Sequence, residues 1–245
     1  MTMPMTPPPI STIQWASIKV VAPEGLNTSL FLVINRLATR TPWAHGFMHA
    51  YALWLGVALL CLVFLVAYVI IWWRRDVRAA ALMLLAGVAT FVALGLNQLI
   101  GHAVKELRPY DTLRHVLVLV PRANDYAFPS DHAVVAGGLI AATWLVTRRA
   151  AVSPSAAAPT ARHFDMSMVA LAATNTVVGA LLCFARVYVG AHYPSDVVAG
   201  LVVGAVVVIA LSLLRPIAYR IATLLEPTFA GALFRRPWAP GASLE

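Results

Sequence analysis

"AYALWLGVALLCLVFLVAYVIIWWRR", residues 50–75, decides the fold class. Residues 50–73 carry no charged side chain, and Arg74 and Arg75 then close the stretch. About 20 apolar residues in a helix match the ~30 Å hydrocarbon core of a bilayer. In lipid a helix also satisfies its own backbone polar groups. The stretch therefore predicts a transmembrane helix that ends at an arginine-marked interface.

The pattern recurs near residues 79–104, 133–147, 166–185 and 197–214. The stretch at 133–147 is short, so it needs a thin local bilayer or a start within the headgroup layer. Pro109, Pro129 and Pro194 stand before or between the runs, where helices end. The 245 residues are 60% hydrophobic and 11% charged, with a mean hydropathy of +0.79. A soluble domain carries about 25% charged residues. The expected fold is all-α: a polytopic transmembrane bundle of about five spans plus an N-terminal interfacial helix.

That helix is read from "NTSLFLVINRLATR", residues 27–40, where Leu30, Val33, Ile34 and Leu37 recur at helical spacing and Arg36 and Arg40 lie on another face. "RPIAYRIATLLEPTFAGALF", residues 215–234, is a weaker version of the same pattern. "MTMPMTPPPIST", residues 1–12, is Pro-rich and lacks the basic start and apolar core of a cleavable signal peptide, so insertion is expected to rely on the spans. "RRAAVSPSAAAPTARH", residues 148–163, reads as a linker. Gly200 and Gly204 form a small-xxx-small pair that suits tight helix packing. Cys61 and Cys183 lie in apolar runs and read as free thiols. The net charge of +8 comes with arginines that flank the spans, which argues for membrane topology and against a nucleic-acid partner.

Three arginine clusters fall on one side of the bundle: Arg74, Arg75 and Arg78; Arg148, Arg149 and Arg162; Arg215, Arg220, Arg235 and Arg236. The positive-inside rule makes that side cytoplasmic. The other side holds Lys19, Arg36, Arg40, Arg114 and Arg122. Four span ends meet on it, at "KELRPY" (105–110), "FPSDHA" (128–133), "ARVY" (185–188) and "HYPSD" (192–196). They bring Lys105, Arg108, Ser130, His132, Arg186, His192 and Asp196 to one membrane level.

These groups suit a phosphate. Lys105 and Arg108, three apart, are expected on one helical face. A guanidinium fork holds two phosphate oxygens and an ammonium adds a point charge. Arg186 adds a second fork. The helix after "PSDH" offers free backbone N–H groups to an anion. One histidine can attack phosphorus if its other ring nitrogen is held by a carboxylate, and Asp196 lies four residues after His192. A second, His132, can protonate the leaving oxygen. Plainer roles exist for each group. Asp196 could merely cap a helix, Ser130 is an ordinary N-cap, and Lys105 and Arg108 could reach for lipid headgroups. His45, His49, His102 and His115 are left as ordinary polar contacts. The spacing of Asp111, Asp125 and Asp131 matches no metal-ligand motif.

"KELRP", "PSDH" and "ARVYVGAHYPSD" resemble the three signature motifs of the type-2 phosphatidic acid phosphatase superfamily, over roughly residues 97–200. Among its members they look most like the bacitracin-resistance-type undecaprenyl pyrophosphate phosphatases. The resemblance implies that His192 is the nucleophile and becomes phosphohistidine, that Asp196 orients it, and that His132 is the general acid. It implies that Lys105, Arg108, Ser130 and Arg186 bind phosphate with help from the backbone at Asp131, and that no metal or other cofactor is needed. Three positions depart from the family pattern: Gly101 where its lysine stands, Ala185 for a serine, and Asp131 for a glycine.

The resulting expectation is a multi-pass protein of the bacterial inner membrane with its active site on the periplasmic or extracellular side. Residues 1–26 are its Pro-rich arm, 27–222 a membrane phosphatase domain and 223–245 a cytoplasmic tail. It would hydrolyse undecaprenyl diphosphate. The alternatives are phosphatidic acid, phosphatidylglycerol phosphate or lipid A phosphate as substrate, or a non-catalytic headgroup binder or transporter. A transporter places its polar groups near the bilayer midplane; here they gather at one edge. The expected partners are the polyprenyl diphosphate or phospholipid substrate and the surrounding membrane lipids.

Overall fold

The computed structural model describes residues 24–147, 165–225 and 228–234. Outside the described residues lie residues 1–23 of the Pro-rich arm with Lys19, the whole linker with Arg148, Arg149 and Arg162, and the end of the tail with Arg235 and Arg236. The longer helices are α1 (Glu24–Arg40), α2 (Pro42–Trp73), α3 (Val77–Val104), α4 (Asp131–Thr147), α5 (Met166–Tyr188), α6 (Pro194–Leu211) and α7 (Arg215–Leu225). Among the described residues there is no strand. Four segments are long and apolar enough to cross a membrane: α2, α3, α5, and α6 with the helical residues that follow it. α4 is shorter, as its sequence foretells.

Local chemistry sets the helix ends. The turn after α2 reverses at Arg75, which has a positive φ of 59°. Asp76 then caps α3 by accepting from the Ala79 amide at 2.9 Å. Asp165 caps α5 through the Ser167 and Met168 amides and pairs with Arg74, tying two helix ends together. Pro194, whose missing N–H is no loss at a first helical position, opens α6.

α4 is the central helix and packs against α3, α5 and α6. Its contact with α6 is backbone to backbone. A Cβ at Gly204 would stand 2.0 Å from the Val134 carbonyl oxygen, one at Gly137 2.1 Å from that of Leu201, and one at Gly200 2.6 Å from that of Ser130. This close approach lets the Ser130 amide donate to the Asp196 carbonyl at 3.0 Å, so the starts of α4 and α6 are locked side by side.

One expectation needs correction, and two element boundaries fall elsewhere than the sequence reading put them. Lys105 and Arg108 do not share a helical face. α3 ends at Val104, Lys105 adopts a left-handed conformation (φ 56°) that stops the helix, and Arg108 is extended before Pro109. The N-terminal helix begins at Glu24, inside the expected arm, and does more than lie on a lipid surface. Phe31 and Ala38 are fully buried against the bundle, while Leu26, Leu30, Val33 and Leu37 face outward. The expected tail is docked as far as Phe234: Tyr68 and Trp72 donate to the carbonyls of Leu233 and Ala232, and Phe234 packs beside Ala81 and Ala222.

Candidate active site

The ends of α3, α4, α5 and α6 that were expected to converge do so around one cavity of about 760 Å³. Arg108, Asp131, His132, Arg186 and His192 line it. Asp196 and Ser130 are fully buried behind its wall, and Lys105 is exposed and outside the lining.

His192 stands between α5 and α6 with 3% of its surface exposed. Its Nδ1 lies 2.9 Å from the Ala127 carbonyl oxygen. A carbonyl only accepts, so Nδ1 carries the proton and Nε2 presents a lone pair. That lone pair faces two guanidinium groups, Arg186 Nη2 at 3.0 Å and Arg108 Nη1 at 3.3 Å. Burial, and then the adjacent Arg186 and Arg108 cations, push His192 well below the usual imidazole pKa, so the ring is neutral at physiological pH.

The carboxylate expected on Nδ1 is close but otherwise engaged. Asp196 Oδ2 is 3.6 Å from Nδ1 and accepts from the Tyr193 amide at 2.8 Å, which caps α6. The capping role read from the sequence is therefore the one its hydrogen bonds display. Asp196 thus places a buried carboxyl group near the ring. The atom that holds the ring, the Ala127 carbonyl, was not foreseen. It belongs to the 113–130 connection, and the Ala127 amide donates to the Glu106 carbonyl at 2.9 Å. A backbone acceptor brought in by a loop leaves no mark in a residue pattern.

The two arginines are held differently. Arg108 directs Nε and Nη2 to Asp125 Oδ1 at 2.9 and 2.7 Å, and Nη1 to the Ala191 carbonyl at 3.0 Å. Arg186, in the last turn of α5, donates from Nη1 to the Ala52 carbonyl at 3.1 Å. Among the described residues its Nε is buried without a partner, and so is Ser130 Oγ. Buried donors left unpaired cost about 1–3 kcal/mol each, a cost that an arriving anion can remove. His132, half-buried in the first turn of α4, reaches the Leu53 carbonyl through Nε2 at 3.3 Å. Asp131 turns its side chain to Asn97 (2.7 Å) and Gln98 (2.9 and 3.0 Å).

Ala52 and Leu53 lie in a π turn, Tyr51–Leu55, inside α2. A π turn shifts the regular hydrogen-bond ladder and is frequent at functional sites. Here two successive carbonyls of that turn receive Arg186 and His132. The sequence offers one weak hint, Gly56 after the turn, where a Cβ would stand 2.8 Å from the Tyr51 carbonyl oxygen.

The site thus offers a neutral imidazole lone pair, two guanidinium groups beside it, a second imidazole in the same cavity and the first turns of two helices. Such a set can take a phosphoryl group on nitrogen while its oxygens are held by cations. The chain is 27% identical to an undecaprenyl-diphosphatase of Sulfolobus acidocaldarius over 76% of its own length and 79% of that protein. It is 30% identical to the undecaprenyl-diphosphatase BcrC of Bacillus subtilis over 58% of its length and 65% of that protein. Among solved structures, LpxE of Aquifex aeolicus aligns with a TM-score of 0.46 at 24% identity, covering 80% of this chain and 98% of that one. Residues 80–220, more than half of the sequence, match the PAP2 superfamily. The chain belongs to the PAP2 superfamily and is a multi-pass membrane lipid phosphatase.

Proposed function

We propose that the protein hydrolyses undecaprenyl diphosphate to undecaprenyl phosphate and inorganic phosphate through a phosphohistidine on His192. The observation that carries the reading is the His192 Nε2 lone pair, aimed between Arg186 and Arg108 in a cavity shared with His132. The two undecaprenyl-diphosphatases named above support the choice of substrate.

On arrival, the terminal phosphoryl group draws the two guanidinium groups onto its oxygens, and Arg108 exchanges Asp125 for phosphate. Nε2 is freed and attacks phosphorus. The N–P bond forms as the bridging P–O bond breaks, and His132, having taken up a proton from solvent beside the bound phosphate anion, passes it to the departing lipid phosphate. The Ala127 carbonyl holds the Nδ1 proton while positive charge develops on the ring, and the Asp196 carboxyl lies behind it, 3.6 Å from Nδ1. Water then attacks phosphorus and loses a proton to His132. The N–P bond breaks and inorganic phosphate leaves. Lys105 enters only if the α3 end rearranges. The backbone at Asp131 and the Ser130 hydroxyl complete the anion's shell, the latter after a small shift of the wall. The site faces away from the cytoplasm in the bacterial inner membrane, as Arg74, Arg75, Arg78, Arg215 and Arg220 mark the opposite end of the bundle.

Phosphate release by the purified protein in detergent tests the proposal. His192→Ala abolishes turnover of undecaprenyl diphosphate while circular dichroism and gel filtration remain those of folded protein. Turnover equal to that of the parent would refute the nucleophile. Activity survives EDTA; loss that only Mg²⁺ restores would refute the metal-free site.

A further inference from the structure

The cavity holds one more cation that neither the signature motifs nor the mechanism above uses. Arg122 lies on the 113–130 connection and lines the cavity with Arg108, Arg186 and His192. Its guanidinium carbon sits 5.3 Å from the centre of the Tyr110 ring. Among the described residues it forms no ion pair, whereas Arg108 is committed to Asp125.

Its position is fixed by a double brace. The segment Arg108–Pro109–Tyr110 faces the segment Arg122–Ala123–Asn124–Asp125. One brace is Arg108 on Asp125 at 2.7 Å. The other is the Tyr110 hydroxyl, which accepts from the Ala123 amide at 3.0 Å and contacts the Ala123 carbonyl at 3.4 Å. Tyr110 is only 7% exposed, so its ring is a rigid shelf. Two cations therefore stand on braced neighbouring segments of one cavity wall. Arg108 is buried against His192, and Arg122 is exposed over a ring that holds it without neutralising it.

We propose that Arg122, on its Tyr110 shelf, takes the second phosphoryl group of a lipid diphosphate and so distinguishes diphosphates from lipid monophosphates. The inference rests on the reading that His192 attacks the terminal phosphorus. A diphosphate held there extends a second anionic group one bridging oxygen away from the attacked phosphorus. When the bridging bond breaks, the electron pair goes to a lipid monophosphate, and new negative charge appears on that second group. A cation placed at that point lowers the barrier. A phosphate monoester has no such group. Its leaving atom is an alkoxide oxygen, which needs a proton, and Arg122 has nothing to hold.

The test compares two substrates on the full chain in detergent: a short polyprenyl diphosphate such as farnesyl diphosphate, and phosphatidic acid. Arg122 is exposed, so substitutions there leave the core intact. Arg122→Ala lowers kcat/KM for the diphosphate by roughly tenfold or more, the scale of a lost charge-assisted contact, and leaves phosphatidic acid within about twofold. Arg122→Lys, which keeps the charge and loses the planar fork, falls between. Arg114→Ala, exposed and outside the cavity, changes neither substrate. Equal losses on both substrates, or no loss on the diphosphate, overturn the role of Arg122 and leave the phosphatase reading standing. A parent chain that cleaves phosphatidic acid but not the diphosphate overturns the substrate reading itself, and this role with it.

Discussion

At the scale of single residues, the proposed mechanism depends on which nitrogen of His192 carries the proton. The Ala127 carbonyl fixes it on Nδ1, and Nε2 is left as the base form that attack requires. The same burial and the same cations that surround Nε2 lower the ring's pKa, with Arg186 and Arg108 as the charged neighbours. The sign follows directly. Protonation removes the lone pair, and a lowered pKa postpones protonation to more acidic solution. The acid limb of kcat/KM therefore falls below pH 6.5, the ordinary imidazole value. Arg108→Gln, which removes one of the two cations, moves that limb upward. A pH–rate profile of the parent with an acid limb at or above 6.5 would contradict this account of the ring. His192, Arg186, Arg108 and His132 were all legible in the sequence, because motif spacing fixes which side chains a helix end delivers. Lys105 was misread because spacing assumes that the helix continues, and a left-handed residue ended it. Ala127 and Arg122 were invisible as site residues because a loop, and not a period, brings them in.

At the scale of elements, the site depends on how closely α4 and α6 approach. Gly137, Gly200 and Gly204 remove the side chains that would hold the backbones apart, and the Ser130 amide can then reach the Asp196 carbonyl. Gly204→Val places atoms where the Val134 carbonyl oxygen stands, 2.0 Å from the Cβ position. Overpacking of this kind costs about 1–3 kcal/mol. Because it also pries apart the two helix starts, activity falls further than stability. The expected result is a lower midpoint in thermal unfolding in detergent, together with severe loss of phosphate release from protein that is still folded at the assay temperature. A variant with parental activity would show that the close approach is dispensable. The glycine pair was legible as a packing signal because small residues four apart lie on one helix face. The π turn of α2 was not. Residues 50–73 read as one unbroken apolar run, and the shift at Tyr51–Leu55 depends on what α5 and α4 present to it. Nor did the apolar period of α1 reveal its anchors. Asn27 bonds Ser195 (2.7 Å), beside Asp196, and Asn35 bonds Leu117 (2.8 Å), in the connection that carries Ala127.

At the scale of the whole molecule, arginines stand at both ends of the bundle, Arg36, Arg40, Arg114 and Arg122 on the cavity side and the span-flanking clusters on the other. The cavity occupies the end where α3 and α5 finish and α4 and α6 begin, and Arg74, Arg75, Arg78, Arg215 and Arg220 gather at the other end. Moving a guanidinium group through the bilayer centre costs at least about 2.5 kcal/mol, so a cluster of them holds its end on the side of synthesis. The proposed orientation opens the cavity toward the opposite face, where a lipid carrier headgroup enters it without crossing the membrane. This gives a prediction that needs no enzyme assay. Asn124 is exposed and lines the cavity, and Thr223 is exposed on α7 at the other end. In intact cells with a permeabilised outer barrier, Asn124→Cys reacts with a membrane-impermeant maleimide, and Thr223→Cys reacts only after the inner membrane is opened. The parent chain supplies the background, since Cys183 is buried and Cys61 lies within the apolar run of α2. The reverse labelling pattern would place the cavity in the cytoplasm. The phosphate chemistry of His192 would be unaffected, but a carrier released on the far side of the membrane could no longer be its substrate.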